Sequence, residues 1–445
     1  MTSITSPTDK SGLQWRYVAA ATIGNALEFY DFMIYSFFAI QIGKTFFPAA
    51  DAFSSLMLSL ATFGAGFITR PIGGIVIGLY ADKVGRRAAM MLSYLTMGAS
   101  VVVMAVIPSY ATIGIAAPIL ALCVRLIQGF SVGGAMGPNA AYLLETAPPL
   151  HRGFSVSWQA ASQFLASMLG GIVGVVLTST LSPEALNAYG WRIAFGLGAL
   201  ALPFGIWLQH GIPETLHAPD TTATAEPVQT DSRMATARKS ARIIILGLII
   251  LSVGPIVSYC FTYLATFAQS TLHVAPRRSF AISAISNIAS ASMILLGGWL
   301  SDRIGRRPVM IWSNLAHLLL ILPAAMWMVH SRTDSSILLY AAVGTIGMMP
   351  FGVFSAALSE NLPKNIRGAG FSTIYAFSVA IFGGTCQLVI TWLIHVTGNP
   401  LAPTYYLMTA LFIGQIAFLL FPESAPALEL KRQQGRRGAS SMQAV

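Results

Sequence analysis

The sequence predicts an all-α membrane protein of twelve transmembrane helices arranged as two pseudo-symmetric six-helix bundles. Three observations carry that prediction. Of 445 residues, 55% are hydrophobic and only 9% charged, against about a quarter charged in an ordinary soluble domain. Twelve largely apolar stretches follow one another with no soluble block between them, each at least about 18 residues, the length that crosses a hydrocarbon core as a helix. Two loop motifs then recur about half a chain apart.

The twelve spans run, in order, over residues 17 to 42, 54 to 80, 89 to 108, 112 to 143, 154 to 180, 191 to 211, 242 to 269, 280 to 300, 309 to 329, 336 to 359, 369 to 395 and 403 to 421. Residues 1–16 lack the apolar core and cleavage site of a secretory signal, so the first span is read as a retained insertion signal. Residues 1–211 form the first bundle and 242–421 the second. Between them, 212–241 reads as a cytoplasmic linker from its prolines and its Thr, Ala and basic run; 422–445 reads as a basic cytoplasmic tail. Cys123, Cys260 and Cys386 fall inside spans and give neither a disulfide framework nor metal spacing.

A formal charge of +10 in a soluble protein suggests nucleic acid, but here the basic residues alternate between the two sides of the predicted spans. Nineteen of the 26 Lys and Arg lie on segments facing one side and five on the other, with Arg70 and Arg125 inside spans. That asymmetry obeys the positive-inside rule and places both termini in the cytoplasm of a bacterial-type inner membrane. The partner it implies is a lipid bilayer.

The first repeated motif follows the second and eighth spans. Gly78-Leu79-Tyr80-Ala81-Asp82-Lys83-Val84-Gly85-Arg86-Arg87 and Gly298-Trp299-Leu300-Ser301-Asp302-Arg303-Ile304-Gly305-Arg306-Arg307 share their first glycine and their closing Asp-(Lys/Arg)-(Val/Ile)-Gly-Arg-Arg. The second follows the fourth and tenth, where Glu145 precedes Arg152 and Glu360 precedes Arg367 by the same seven residues. The offsets, 220 and 215, nearly agree. Two such motifs imply parallel six-helix repeats related by an axis along the membrane normal.

The doubled loop resembles the signature of the major facilitator superfamily. Further runs resemble its metabolite/proton symporter branch, and within it the citrate/proton symporters: Gly24-Asn25 with Leu27-Glu28 and Asp31-Phe32, Arg70-Pro71-Ile72-Gly73, Arg125-Leu126-Ile127-Gln128-Gly129-Phe130-Ser131, Ser157-Trp158-Gln159, and Gly370-Phe371-Ser372. The resemblance spans roughly residues 16 to 421. It implies proton-coupled import of a small carboxylate by alternating access, with no cofactor and no metal. Ala135 stands where the branch usually has a glutamate after its paired glycine, which puts ion stoichiometry in doubt.

Charges inside the membrane are the sharpest functional signal, because each costs about 2.5 to 3.5 kcal/mol at a helix centre on insertion scales. Glu28, Asp31, Arg70 and Arg125 are the four, all in the first half. Glu28 and Asp31 are read as proton-coupling carboxylates, Asp31 favoured, or alternatively as permanent counter-ions to an arginine. Arg125 offers a bidentate guanidinium to a substrate carboxylate, or neutralises one of those acids. Arg70 either joins it or satisfies backbone carbonyls freed at a Pro-Gly kink.

Asn25, Gln128, Gln159, Gln163, Asn287, Tyr375 and Gln387 extend the candidate substrate cavity, and each alternatively ties one helix to the next. His317 is read as packing in a peripheral helix. The small-residue pairs Gly74/Gly78, Gly129/Gly133, Gly133/Gly137 and Gly170/Gly174 are read as close helix contacts. Asp82, Arg86, Arg87, Glu145, Arg152, Asp302, Arg306, Arg307, Glu360 and Arg367 are read as a cytoplasmic gate that latches the halves.

Rival classes fare worse. An enzyme would need a nucleophile elbow, an H-E-x-x-H pair or a phosphate loop, and none is expected. A membrane sensor would carry a folded relay domain, for which linker and tail are too short. A drug exporter is disfavoured by the fifth span, where Gly170-Gly171 and Gly174 lack a Gly-Pro element. A symporter of a zwitterion such as proline or betaine is the second reading, and the unit is expected to be a monomer.

Overall fold

The computed structural model describes residues 15–84, 86–209, 233–361, 367–426 and 428. Among the described residues there is helix and no strand. Apolar side chains with no water to meet their backbone must close their hydrogen bonds inside each segment, and the helix does so.

Helices occupy all twelve expected places. Among the described residues nine are long and apolar enough to cross a membrane by length and composition: Ala52–Ile77, Ala116–Gly134, Arg152–Thr180, Ala241–Thr262, Pro276–Ile304, Arg306–Ser331, Asp334–Asn361, Thr373–Thr397 and Ala402–Leu420. The other three places are the first, third and sixth spans. The first is Trp15–Phe37 followed by Ala39–Phe46, and its first part carries Glu28 and Asp31. The third, Arg86–Val106, has its apolar part confined to Met91–Val106. The sixth is Trp191–Gln209.

The two halves repeat in detail. The first span breaks at Phe38 and the seventh at Tyr263, 225 residues later, close to the spacing of the loop motifs. In both, hydrogen bonds run through the break, from Ile42 N to the Phe38 carbonyl and from Phe267 N to the Tyr263 carbonyl, so the segment bends without ending. Packing repeats too: spans 2 and 4, 3 and 6, and 1 and 6 pair in the first half, as do 8 and 10, 9 and 12, and 7 and 12 in the second. Between halves the main contacts are spans 5 with 8, the most extensive in the molecule, 5 with 10, and 2 with 11.

Glycine allows the closest of these approaches. A Cβ at Gly129 would overlap the Gly66 carbonyl and one at Gly133 the Arg70 carbonyl, so spans 2 and 4 touch backbone to backbone. Large apolar residues such as Ile68, Ile72, Ile75, Leu319 and Phe412 remain exposed on the outer helix faces, where lipid is the solvent.

The helix leading into span 7 opens at Arg233, inside the segment read as linker. Met234 to Ala241 is rich in Ala, Arg and Lys, strong helix formers that a hydropathy reading passes over. Residues 210–232 lie outside the described residues. Cys260 and Cys386 come together, sulfur to sulfur at 3.7 Å, across spans 7 and 11.

Candidate functional site

The first span supplies both acids, and the two face different neighbours. Both carboxyls are fully buried and make no protein hydrogen bond. Glu28 lies within the field of Arg70. Asp31 turns toward span 6, so closely that a Cβ on Gly198 would strike its carboxyl oxygen. No ion pair within contact distance joins either acid to Arg70 or Arg125 among the described residues.

Arg70 opens the second part of span 2, directly after the break at Thr69. The Thr69 hydroxyl donates to the carbonyls of Leu126 at 2.6 Å and Gly66 at 3.2 Å. The carbonyl that Pro71 leaves without its helical N–H is that of Phe67, and no Arg70 nitrogen hydrogen-bonds a carbonyl, so the alternative reading of Arg70 as the partner of freed carbonyls does not hold. Its guanidinium instead lies over Phe67, 4.0 Å from the ring centre, and Phe32, at 4.4 Å. Buried cation–π contacts of this kind contribute about 2 kcal/mol or more when desolvated. Arg70 also acts electrostatically on Tyr259 and Tyr375 of the second half.

Arg125 sits deeper in the first half. It lies over Phe32 and Tyr35, both at 4.5 Å, and Nη1 donates to the Gln128 side-chain oxygen at 2.8 Å. Phe32 therefore holds both guanidinia. Three nitrogens of Arg70 and two of Arg125 are still buried without a hydrogen-bond acceptor, at a cost that an anionic partner would offset.

The polar candidates divide. Asn25 donates to the Gln159 carbonyl and the Ser162 hydroxyl, both at 2.8 Å, tying span 1 to span 5. Gln159 donates to the Met136 carbonyl and Gln128 serves Arg125. Asn287 bonds its own helix at the Ser283 carbonyl, and Gln387 donates to Ser36 at 2.7 Å across the halves. Only Gln163 and Tyr375 of the seven line the cavity between the halves. The structure adds Ser167, Ser258, Tyr259 and Thr262 to it. The cluster Ser258-Tyr259 with Thr262, just after Pro255, was the available signal. At about 20 Å³ the cavity has room for about one water; it is closed in this conformation.

One run, Gly129-Phe130-Ser131-Val132-Gly133, does spell G-x-S-x-G. It lies within the continuous helix Ala116–Thr146, and buried Ser131 donates to the Ser93 carbonyl. A nucleophile elbow needs a strand-to-helix turn, so the expectation of no elbow stands corrected in spelling and not in chemistry. His317 is fully buried beside Phe261 and packs on Gly347, at the break in span 10.

The loop motifs build a second site at one end of the helices, here called the motif face. Arg306 Nη1 meets Asp302 at 2.6 Å and Nη2 meets Glu360 at 3.1 Å. Asp302 also accepts from the backbone N–H groups of Gly153 and Phe154, each at 2.9 Å. These are unbonded donors at the start of the span 5 helix, where a carboxylate is favoured, so the second half's acid is latched to the first half. Glu423 caps the next helix start by accepting from Arg306 N and Arg307 N. Arg152 opens span 5 half-buried. The side chains of Asp82, Arg86, Arg87, Glu145 and Arg367 lie outside the described residues, as does that of Ala135.

Comparison with known proteins bears directly on this architecture. The model of the Major Facilitator Superfamily matches residues 21–378 and 271–444. The chain belongs to the major facilitator superfamily. It is 36% identical to the citrate-proton symporter of Salmonella typhi over 409 residues, covering 90% of this chain and 92% of that one. With the citrate-proton symporter of Klebsiella pneumoniae the identity is 37% over 420 residues, covering 93% and 94%. A proline/betaine transporter of Escherichia coli strain K12 is 33% identical over 425 residues, covering 92% and 83%. In fold the chain is similar to the crystal structure of a D-xylose-proton symporter, with TM-score 0.73, 20% identity and 93% and 98% coverage. The superfamily fold accounts for the paired halves and the interface of spans 5 and 8.

Proposed function

We propose that this chain is a proton-coupled symporter that imports citrate or a related di- or tricarboxylate by alternating access, as a monomer with both termini in the cytoplasm. Similarity over nine-tenths of its length to two citrate-proton symporters carries this reading. Two buried guanidinia with unfilled donors next to the interface of the halves supply the complementary chemistry.

Arg70 and Arg125 receive the carboxylates once the cavity opens. Glu28, within the field of Arg70, is the acid whose protonation releases that guanidinium to the substrate. We assign the coupling role to Glu28 in place of Asp31, the acid favoured on sequence, because Arg70 acts on Glu28. Asp31, packed against span 6 and in ion-pair contact with neither arginine, is a second proton site. Moving one net positive charge down 100 mV supplies about 2.3 kcal/mol, close to fiftyfold accumulation, so a trivalent anion needs more than three protons to gain it.

Alternating access follows from the latch. In this conformation Asp302 closes the motif face across spans 5 and 8, while the opposite face holds an open vestibule. Uptake of labelled citrate into proteoliposomes under an inward proton gradient tests the reading. Accumulation that collapses with a protonophore is expected. Gradient-driven uptake of proline without citrate favours the zwitterion reading, to which the 33% identical proline/betaine transporter lends weaker support.

A further inference from the structure

At the face opposite the latch, between the halves, lies a cavity of about 440 Å³. Its wall is built from the end of span 1 and the start of span 2 on one side, and from the ends of spans 7 and 11 on the other. Three basic side chains line it, Lys44, His273 and His395, together with the hydroxyls of Ser55, Tyr263 and Thr391. No acid is among the lining residues.

Asp51, the nearby acid, is committed elsewhere. It accepts from Ser54 N at 2.8 Å and Ser54 Oγ at 2.7 Å, capping the helix Ala52–Ile68, although its charge reaches His395. Phe53 stacks on the His395 ring with centroids 3.8 Å apart and so fixes the imidazole at the rim. His273 holds a left-handed backbone, φ 58°, at the turn after span 7.

The floor is polar and shut. Thr391 donates to the Tyr263 hydroxyl at 2.6 Å, and Gln387 donates to Ser36 at 2.7 Å between the halves. Thr262, the residue before Tyr263, lines the central cavity. The vestibule therefore leads to the substrate site through two hydrogen bonds that must open.

We propose that this vestibule is a recruiting site for a small polycarboxylate anion, engaged before the central arginines. The inference rests on the carboxylate symporter reading. Lys44 supplies the permanent charge, with His273 and His395 as donors around it. The volume admits a molecule of citrate size, which the central cavity in this state does not. A basic, concave entrance raises the local concentration of an anion and its rate of capture. The plainer role for Lys44 is to compensate the end of the short helix Ala39–Phe46, in whose last turn it sits. That role concerns stability and predicts no change in substrate affinity.

The test is initial-rate citrate uptake by cells expressing the full chain, with membrane levels of each variant matched. Lys44→Gln is expected to raise KM about two- to fivefold at low ionic strength with the maximal rate unchanged, the upper range for one exposed ion pair. Lys44→Glu should raise it further, Lys44→Arg should restore it, and added salt should shrink the difference. His273→Gln is expected to act in the same direction. Unchanged KM in Lys44→Gln, Lys44→Glu and His273→Gln, in cells that take up citrate normally, overturns the vestibule and leaves the symporter reading intact. Proline uptake with no citrate uptake by the unmodified chain overturns both.

Discussion

Glu28 and Asp31 stand three residues apart on one helix and meet different surroundings, which is how one span can carry two chemically distinct carboxyls. Helical spacing brings them to neighbouring faces; the neighbours do the rest. Glu28 shares its surroundings with Arg70, whereas Asp31 meets the Gly198 backbone. Glu28→Gln is therefore expected to abolish proton-driven accumulation while preserving citrate exchange down its own gradient, read as counterflow in proteoliposomes. Asp31→Asn should lower the accumulation ratio and leave exchange intact. Full accumulation by Glu28→Gln would return the coupling role to Asp31. That two acids and two arginines lie buried in the first half was legible in the sequence, and the cost of placing charge in a membrane is what singles them out. Which acid pairs with which guanidinium was not, because that depends on helix rotation and on Phe32, an unremarkable residue in sequence that touches both cations.

At the scale of elements, the contact of spans 2 and 4 joins the two buried arginines through glycine. Arg70 and Arg125 ride on helices held backbone to backbone at Gly66, Gly129 and Gly133. Gly133→Val forces the Arg70 segment outward; overpacking of this kind costs about 1 to 3 kcal/mol. The expected outcome is a lower thermal unfolding midpoint and loss of citrate affinity together, measured on the purified variant. The small-residue pairs in the sequence announced close contacts, but not that one lies directly behind Arg70.

A second elemental prediction concerns the cap of span 2. Hydrogen bonds from Ser54, first its backbone N–H and then its hydroxyl, hold the Asp51 carboxyl below its ordinary value. A carboxyl depressed in the folded state contributes stability that is complete above its unfolded value of about 3.9 and lost as pH falls through the lower folded value. Asp51→Ala should therefore narrow the stability gap to the unmodified chain only below about pH 4, as read by thermal unfolding across pH.

For the whole molecule, the role proposed for the latch at the motif face is to decide which side is open. Asp302 ties span 8 to the start of span 5, and Arg306 binds Asp302 to Glu360. Asp302→Asn removes the charge that faces both Arg306 and the helix start. It is expected to shift the population toward the state open at the motif face. Ser157 is buried beneath this contact, and a Cβ on Gly298 or Gly352 would strike it. A Ser157→Cys probe should react with a soluble maleimide faster in the Asp302→Asn background. Equal labelling rates would mean that the ion pairs fix local structure without controlling access.

The sequence by itself determined the solvent, the twelve helical places, the twofold repeat and the residues that carry charge into the membrane. Each follows from terms additive along the chain: apolar length, charge cost, and a motif copied at a fixed offset. Only the tertiary structure decided that Gln128, Gln159, Asn25 and Gln387 spend their polar groups on neighbouring helices, that Tyr259 and Ser258 face the cavity, and that Asp302 reaches across to Gly153. Side-chain direction depends on the rotation of each helix about its axis, and that rotation is set by packing between helices far apart in the chain.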